Sequence, residues 1–451
     1  MAELSAPTVL LVGVDRYVFR ACERLGVDAV VIYGPGSKDA GSAVIPDRMT
    51  GVFVDDQRNA EAVVAALERA GQWDRHYDAV LATNEYTLAL GGLLARALGC
   101  RGMSAETAVR FRDKALQKRA VRAAGVPVAE CVLVEDIQCP GDIPDLGRRM
   151  VLKPIAGAGT KFTTVVSDIL EFRAAAARFA RTSSLRTFLV EEYIEGDEWM
   201  VDGVVSGGEL AFYSVAYYGD PCLTAVQQQS PLTLWRFDPI TDQSVYQAAE
   251  PVARRALAAL GLQDGVFHME LFRPSNGGPL VFGECAARRG AALVLEEVLY
   301  KFSVDLAEEA LRAALGWQPR LDVKIRPGYV ATSYLKGRPG VLISCPSVAD
   351  VLARQGARYA RIELPVGASI EGQFGDTSTR VGQVMVAADD PGQLTERFAD
   401  IRRWFDERLI VAPADASHRA LLAWQGHTWP DAGLGDAPLF EPDHSAAEEQ
   451  A

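Results

Sequence analysis

Residues 265–290 read Gly265-Val-Phe-His-Met-Glu-Leu-Phe272, the turn Pro274-Ser-Asn-Gly-Gly-Pro279, then Leu280-Val-Phe-Gly-Glu-Cys-Ala-Ala-Arg-Arg-Gly290. Two short apolar runs around a Gly/Pro/Asn turn predict a β-hairpin. Period two puts His268, Glu270 and Phe272 on one face of the first strand, and Phe282 and Glu284 on one face of the second. Carboxylates on adjacent antiparallel strands converge across such a turn and repel unless they share a cation. Hard oxygen ligands beside nucleotide phosphates describe a Mg²⁺ site. Arg288 and Arg289 follow within a few residues, able to meet the charge of a transferring phosphoryl group.

Two stretches upstream add to this reading. Val151-Leu-Lys-Pro-Ile-Ala-Gly-Ala-Gly-Thr160 is a buried strand delivering Lys153 into a small-residue loop. Gly157 and Gly159 let backbone N–H groups approach an oxyanion, and Thr160 and Lys161 add a hydroxyl and a charge. The loop lacks the GxxxxGK[ST] pattern, and a plain hairpin also fits it. Leu189-Val-Glu-Glu-Tyr-Ile-Glu-Gly-Asp-Glu198 is a strand, an acidic turn and the start of another strand. Glu191 and Glu198 suit the exocyclic amine of a purine and the hydroxyls of a ribose; a solvated acidic hairpin is the other reading.

The first hundred residues alternate strand and helix: Thr8–Val14, Tyr17–Leu25, Val27–Tyr33, Val52–Val54, Asn59–Ala70, Tyr77–Ala82 and Thr87–Leu98. That order predicts a Rossmann-like parallel sheet. No GxGxxG follows its first strand, so dinucleotide binding is not supported. Asn84 and Glu85 lie just past a strand's carboxyl end, where open sheets present ligands, although a helix cap explains them equally. From Asp113 strands dominate, so the fold class is α/β and α+β. Four units are expected: 1–112, 113–318 in two lobes meeting at 187/188, an α+β unit over 319–412, and a partly mobile tail, 413–451. In the tail, Trp424 and Trp429 suggest packing back onto the body.

Composition bounds the partners. Forty-six Lys+Arg against 59 Asp+Glu leave a net charge of −13, which disfavours nucleic acid and anionic membranes. The basic n-region of a leader is missing before Arg16, and no apolar run reaches the ~18–20 residues of a membrane span. Seven cysteines without CxxC spacing read as reduced thiols, and a cytoplasmic setting is expected.

In the order of these motifs the chain resembles the ATP-grasp superfamily over about residues 5 to 410. The resemblance runs through RDKALQKRAVRAAGVPVAE from Arg112, VLKPIAGAGT, VEEYIEGDEWMVDG, GVFHMELF and VFGECAARRGAA. STRVGQVMVAADDPGQLTERF, from Ser378, looks like the C-terminal domain shared by L-amino-acid ligases and biotin carboxylases. The nearer likeness is to the L-amino-acid (dipeptide) ligases, with a pre-ATP-grasp domain, a two-lobed clamp and a biotin-carboxylase-like C-terminal domain.

What the resemblance implies is an ATP-dependent ligase that joins a carboxylic acid to an amine through an acyl phosphate, as a homodimer. Lys114 and Lys153 match phosphate-contacting lysines, and Gly157 to Lys161 the loop that closes over the phosphates. Glu191 matches the adenine position, assisted by Glu192 and Ile194, and Glu198 the ribose position. Glu270 and Glu284 match Mg²⁺ ligands, with Mn²⁺ as a substitute, and Arg288 the residue stabilising the acyl phosphate. Read from the residues beside this resemblance, Lys161 is expected to add catalytic charge at the loop tip, and Glu85 and His268 to contact substrate. Arg289 is expected to contact substrate or phosphate, or else to lie on the surface. Trp235, closing the loop-like segment from Tyr217, is expected to contact substrate or equally to anchor a surface connection. Relatives carry Glu-x-Asn-x-Arg where this chain has Glu284-Cys-Ala-Ala-Arg288, so Ala286 replaces a metal-ligating Asn. Two alternatives stand beside the ligase: a bicarbonate-activating enzyme like biotin carboxylase, and an ATP-binding regulator weakened by Ala286.

Overall fold

The computed structural model describes residues 6–35, 45–141, 149–228, 230–370, 380–416 and 435–436. Most of the expected tail, with Trp424 and Trp429, lies outside the described residues.

Thr8–Val12 (β1), Asp28–Tyr33 (β2), Thr50–Phe53 (β3) and Ala79–Ala82 (β4) form a parallel sheet in the order β3-β2-β1-β4. β1 is buried along its whole length, as a strand covered on both faces must be. The order reverses between β1 and β4, so their carboxyl ends, at Gly13–Asp15 and Thr83–Glu85, frame a crevice. Asp15 caps the helix Arg16–Leu25 by accepting from Tyr17 N at 2.9 Å. Asn84 likewise accepts from Tyr86 N and caps a 3₁₀ turn, Glu85–Thr87.

A second, antiparallel sheet contains Cys131–Val134 (β5), Met150–Pro154 (β6), Thr164–Val166 (β7) and Phe188–Glu192 (β8), ordered β5-β8-β6-β7. The helix Ile169–Thr182 covers one face through Phe172, Ala176 and Phe179. The residues between β6 and β7 form a hairpin loop in which Thr160 (φ 60°) and Phe162 (φ 57°) adopt left-handed backbone. Non-glycine residues in that region are strained and concentrate where a loop must meet a ligand.

Among the described residues the largest sheet has nine strands. Gly196–Ser206 (β9), Glu209–Tyr218 (β10), Thr233–Arg236 (β11), Gly265–Pro274 (β12) and Val281–Ala286 (β13) make one part of it. Tyr329–Leu335 (β14), Ala357–Ile362 (β16), Gly382–Ala388 (β18) and Gly435–Asp436 (β20) make the other, in the order β13-β12-β9-β10-β11-β14-β18-β16-β20. The junction expected at 318/319 falls between the helix Leu306–Ala314 and β14, yet β11 pairs with β14, so strands on either side of it share one sheet. Gly340–Ser344 (β15), Ser369–Ile370 (β17) and Ile410–Ala412 (β19) form a small separate sheet.

Alternation along β9 and β12 sets two chemistries on the large sheet. Phe267, Met269, Leu271 and Val201 pack against the helix Gln243–Leu260, while His268 and Glu270 face the opposite side. One detail departs from strict period two. Glu270 lies opposite Glu284, but Leu271 lies opposite Phe282, so Gly283 is the extra residue of a β-bulge. Phe282 therefore joins the core with Leu271, and the expectation that it shares a face with Glu284 fails at this one residue. A Cβ at Gly283 would stand 3.0 Å from the Glu270 carbonyl oxygen, which explains the glycine.

Candidate functional site

A cleft enclosing about 1450 Å³ of space, part of it open to solvent, runs between the two antiparallel sheets. It is lined by Ala129, Val151, the chain from Glu191 to Ile194, and by Glu270, Glu284 and Arg288. Gly157, Gly159 and Thr160 line it from the β6–β7 loop, as do Glu85, Lys114, Lys153, Glu192, Glu198 and His268.

The positive groups are fixed by elements remote in sequence. Asp113 caps the helix Lys114–Ala123, and Lys114 Nζ lies 3.2 Å from Glu284 Oε2. Gln117, on that helix, grips β13 at Cys285 with two bonds: its Nε2 donates to the carbonyl at 2.9 Å and its Oε1 accepts from N–H at 2.8 Å. Lys118 lies one helical turn beyond Lys114 and reaches Glu191 Oε2 at 2.9 Å. Lys153 Nζ lies 2.6 Å from Glu191 Oε1 and 3.8 Å from Glu284 Oε2. The result is an alternating chain of charge: Lys118, Glu191, Lys153, Glu284, Lys114.

Burial sets the titration of these groups against their partners. It acts to raise the Glu284 carboxyl, but Lys114 and Lys153 outweigh it and hold the group down at about 2. Glu191 is also kept below its ordinary range, its burial outweighed by Lys118 and Lys153. Burial lowers Lys118, whereas Glu191 and Glu284 overcome the same effect on Lys153 and raise it. Glu198, whose Oε2 accepts from Cys222 N at 2.8 Å, is pushed up to about 8 by burial and by Glu270.

His268 is held from behind. Its Nδ1–H donates to Asp202 Oδ1 at 2.7 Å, and Nε2 stands 3.8 Å from Glu270 Oε1. Burial lowers the imidazole, but Asp202 more than compensates and lifts it to about 9. Asp202 in turn meets Arg236 at 3.2 Å, and Arg236 donates to Glu297 at 2.8 Å, all three fully buried.

The two arginines after the hairpin separate. Arg288 lines the cleft with its Nε 2.9 Å from Glu85 Oε2. Arg112 approaches Glu85 from the other side at 3.8 Å and donates to the Gly157 and Ala156 carbonyl oxygens of the loop. Arg289 does not face the cleft. It pairs with Asp15 at 2.8 Å, stacks on Tyr17 and borders a second cavity between the parallel sheet and β12. The expected substrate contact at Arg289 is thus replaced by an anchor to the Asp15 cap.

Two other expected site residues lie elsewhere. Lys161 is exposed with its ammonium 5.7 Å from the Phe162 ring, outside the cleft. Trp235 turns to the opposite face of β11, edge-on to Phe398, whereas Leu234 and Leu232 line the cleft. Glu191 reaches the cleft already engaged by two lysines. Lys118, Arg112, Gln117 and Asp202 were not read from the sequence, although the i, i+4 spacing of Lys114 and Lys118 and a lone Asp within the apolar run Trp199–Val205 both carried a signal.

Glu270 and Glu284 offer hard oxygen donors from directly opposite register positions, and Ala286 beside them offers none. Among the described residues no three His, Cys, Asp or Glu side chains converge as a self-sufficient metal cluster. Two carboxylates completed by phosphate oxygens fit the way Mg²⁺ is ordinarily held.

Comparison with known proteins agrees with this arrangement. Residues 147–297 match the ATP-grasp domain family. An L-amino acid ligase from Bacillus licheniformis superposes with a TM-score of 0.72 at 16% identity, covering 90% of this chain and 98% of that one. Biotin carboxylase from Campylobacter jejuni, solved with an ATP analogue, gives 0.66, also at 16% identity, over 91% and 93%. In sequence, the L-arginine-specific L-amino acid ligase of Bacillus subtilis is 28% identical over 276 residues, 59% of this chain and 64% of that protein. The matched region thus spans somewhat less than two thirds of that relative. All seven cysteines are free, and no helix among the described residues is long and apolar enough to cross a membrane.

Proposed function

We propose that the protein is an ATP-dependent carboxylate–amine ligase acting on amino acids. The observation that carries this reading is the meeting of Lys114, Lys153, Glu270, Glu284 and Arg288 around one cleft. In the proposed reaction a substrate carboxylate oxygen attacks the γ-phosphorus of ATP, giving an acyl phosphate and ADP. An amine then attacks the acyl carbon, and phosphate leaves with the oxygen that came from the carboxylate. This chemistry needs no protein nucleophile; it needs positioned reactants and fixed positive charge. Buried Cys285, turned into the core beside Met269, has no part in it.

Lys114 and Lys153 would meet the nucleotide phosphates, with Ala129, Val151 and Ile194 flanking the base. Mg²⁺ bound by Glu270 and Glu284 would neutralise phosphate charge. Arg288, oriented by Glu85, would face the acyl phosphate. Names among the relatives support an amide-forming activity: besides the arginine-specific ligase they include an alanine–anticapsin ligase of Bacillus subtilis. The test is incubation with ATP, Mg²⁺ and amino-acid mixtures, following ADP and the mass of any product. ADP with a ligated product supports the ligase; ADP stimulated by bicarbonate and biotin supports a carboxylase instead. ATP binding without turnover across a broad panel would leave a regulatory ATP-binding role.

A further inference from the structure

The cleft continues past Glu270, away from the β8 end, and closes on a wall of different character. Tyr218 ends β10, Leu223 lies on the short helix Cys222–Gln227, Leu232 and Leu234 flank and begin β11, Val294 opens the helix Val294–Phe302, and Tyr334 comes from β14. Leu234 is 1% exposed and Leu232 5%, so the wall is part of the packed core. Two bonds fix it to the rest of the site. Cys222 N–H donates to Glu198 at 2.8 Å, and Tyr334 N–H donates to the Leu232 carbonyl at 3.0 Å.

The charges around this wall argue for its occupant. The carboxylates lining the cleft are Glu85, Glu191, Glu192, Glu198, Glu270 and Glu284, and none belongs to the wall's own elements among the described residues. Glu85 is engaged by Arg288, and Glu191 and Glu284 by lysines. Glu198 accepts from Cys222 N–H of the wall, Glu270 stands 3.8 Å from His268 and opposite Glu284, and Glu192 is on β8. Behind the Tyr334 ring, 4.5 Å from its centroid, sits the Arg380 guanidinium, itself paired with Glu363. A cationic side chain pressed on this wall would lose its hydration and find an arginine behind the ring. An acidic one would find the nearest guanidinium already paired. An apolar side chain loses nothing and buries its surface.

We propose that this wall is the specificity pocket of the ligase, and that it takes the apolar side chain of one of the two amino acids joined. This rests on the ligase reading above and adds the substrate class to it. Leucine, methionine and phenylalanine are the chemistries it fits, with discrimination among them set by shape. A single methylene in such a pocket is worth roughly 10- to 200-fold in kcat/KM.

The test is a comparison of kcat/KM for leucine, methionine, phenylalanine, arginine, lysine and aspartate, each with alanine as co-substrate, by ADP release and product mass. The apolar three are expected to exceed the charged three by about 100-fold or more. Leu223→Glu, at a half-buried position that tolerates change, should lower leucine use by about 10-fold through KM and raise lysine use. Val294→Ala, a milder change to the same wall, should shift preference from leucine towards phenylalanine. Preference of the unmodified protein for charged amino acids would overturn the pocket while leaving the ligase intact. So would a selectivity that ignores both variants. Absence of ligation with every amino acid would remove the ligase reading and the pocket with it.

Discussion

Arg288 Nε lies 2.9 Å from Glu85 Oε2, joining the end of the β12–β13 hairpin to the turn at the carboxyl end of β4. The carboxyl end of β4 in the parallel sheet is therefore tied to the hairpin by a charge pair. Glu85 holds Arg288 over the cleft, and Arg112 on the same carboxylate ties it to the carbonyl oxygens of the Gly157 loop. The pair predicts a division of labour. Arg288→Ala should cost about 10²–10³ in kcat, the usual loss when a charge-stabilising donor is removed. Glu85→Gln should cost about 10- to 100-fold, the scale of a misplaced catalytic group. Steady-state ADP release measures both, and equal losses would mean that Glu85 does more than orient.

Glu284 sits between two lysines and opposite Glu270, at the point where charge of both signs is densest. Glu284→Gln keeps the shape and removes the anion. Turnover should fall below detection, and the strengthening of ATP binding by Mg²⁺ should weaken. The unfolding midpoint should stay within a few degrees of the unmodified protein. Near-normal turnover would take Glu284 out of the metal-binding role.

His268 provides a pH signature. Its imidazole is raised from 6.5 to about 9 against the pull of burial, chiefly by Asp202. A raised histidine stabilises fully below its unfolded pKa and loses that contribution as pH rises through the folded value. The stability difference between the unmodified protein and His268→Gln should therefore be largest near pH 6. It should shrink between pH 6.5 and 9.5, by on the order of 2–3 kcal/mol. Denaturation at the two ends of that window measures it, and a difference that grows with pH would contradict the Asp202 pairing.

Arg236 carries a structural prediction. It is buried between Asp202 and Glu297, and Ser214 accepts a further bond from it at 2.9 Å. Arg236→Met leaves buried Glu297 without its cation and Asp202 with His268 alone, which should lower stability by about 3–5 kcal/mol. Glu297, already lifted to about 7 by burial despite Arg236, would rise further in the variant. The loss should accordingly be smaller at pH 5 than at pH 8, which chemical denaturation at both values would show.

Most of the site was legible because strands present chemistry at fixed spacing. Lys153, Glu270 and Glu284 stand on β6, β12 and β13, and their motifs alone pointed to one phosphate-handling cleft. What escaped was register and packing. A one-residue bulge at Gly283 turns Phe282 away from Glu284, and periodicity cannot signal where a bulge will fall. In the stretch Leu232–Trp235 the aromatic looked like the ligand contact, yet alternation faces Leu232 and Leu234 to the cleft and sends Trp235 to Phe398. Arg289 resembled a second phosphate ligand, but its partner Asp15 lies far earlier in the chain, a contact that only tertiary structure could reveal. The continuity of one sheet across the expected 318/319 junction was equally invisible, because β11 and β14 meet only in the fold.

The central claim, an acyl-phosphate ligase, has a direct isotopic test. The reaction should be run with an amino-acid substrate labelled with ¹⁸O in its carboxylate, together with ATP, Mg²⁺ and a second amino acid. The inorganic phosphate released should be examined by mass spectrometry. Attack of the carboxylate on the γ-phosphorus predicts one ¹⁸O atom in each phosphate released, in step with the ligated product and ADP. Unlabelled phosphate accompanying ligation, or label appearing in AMP, would contradict it.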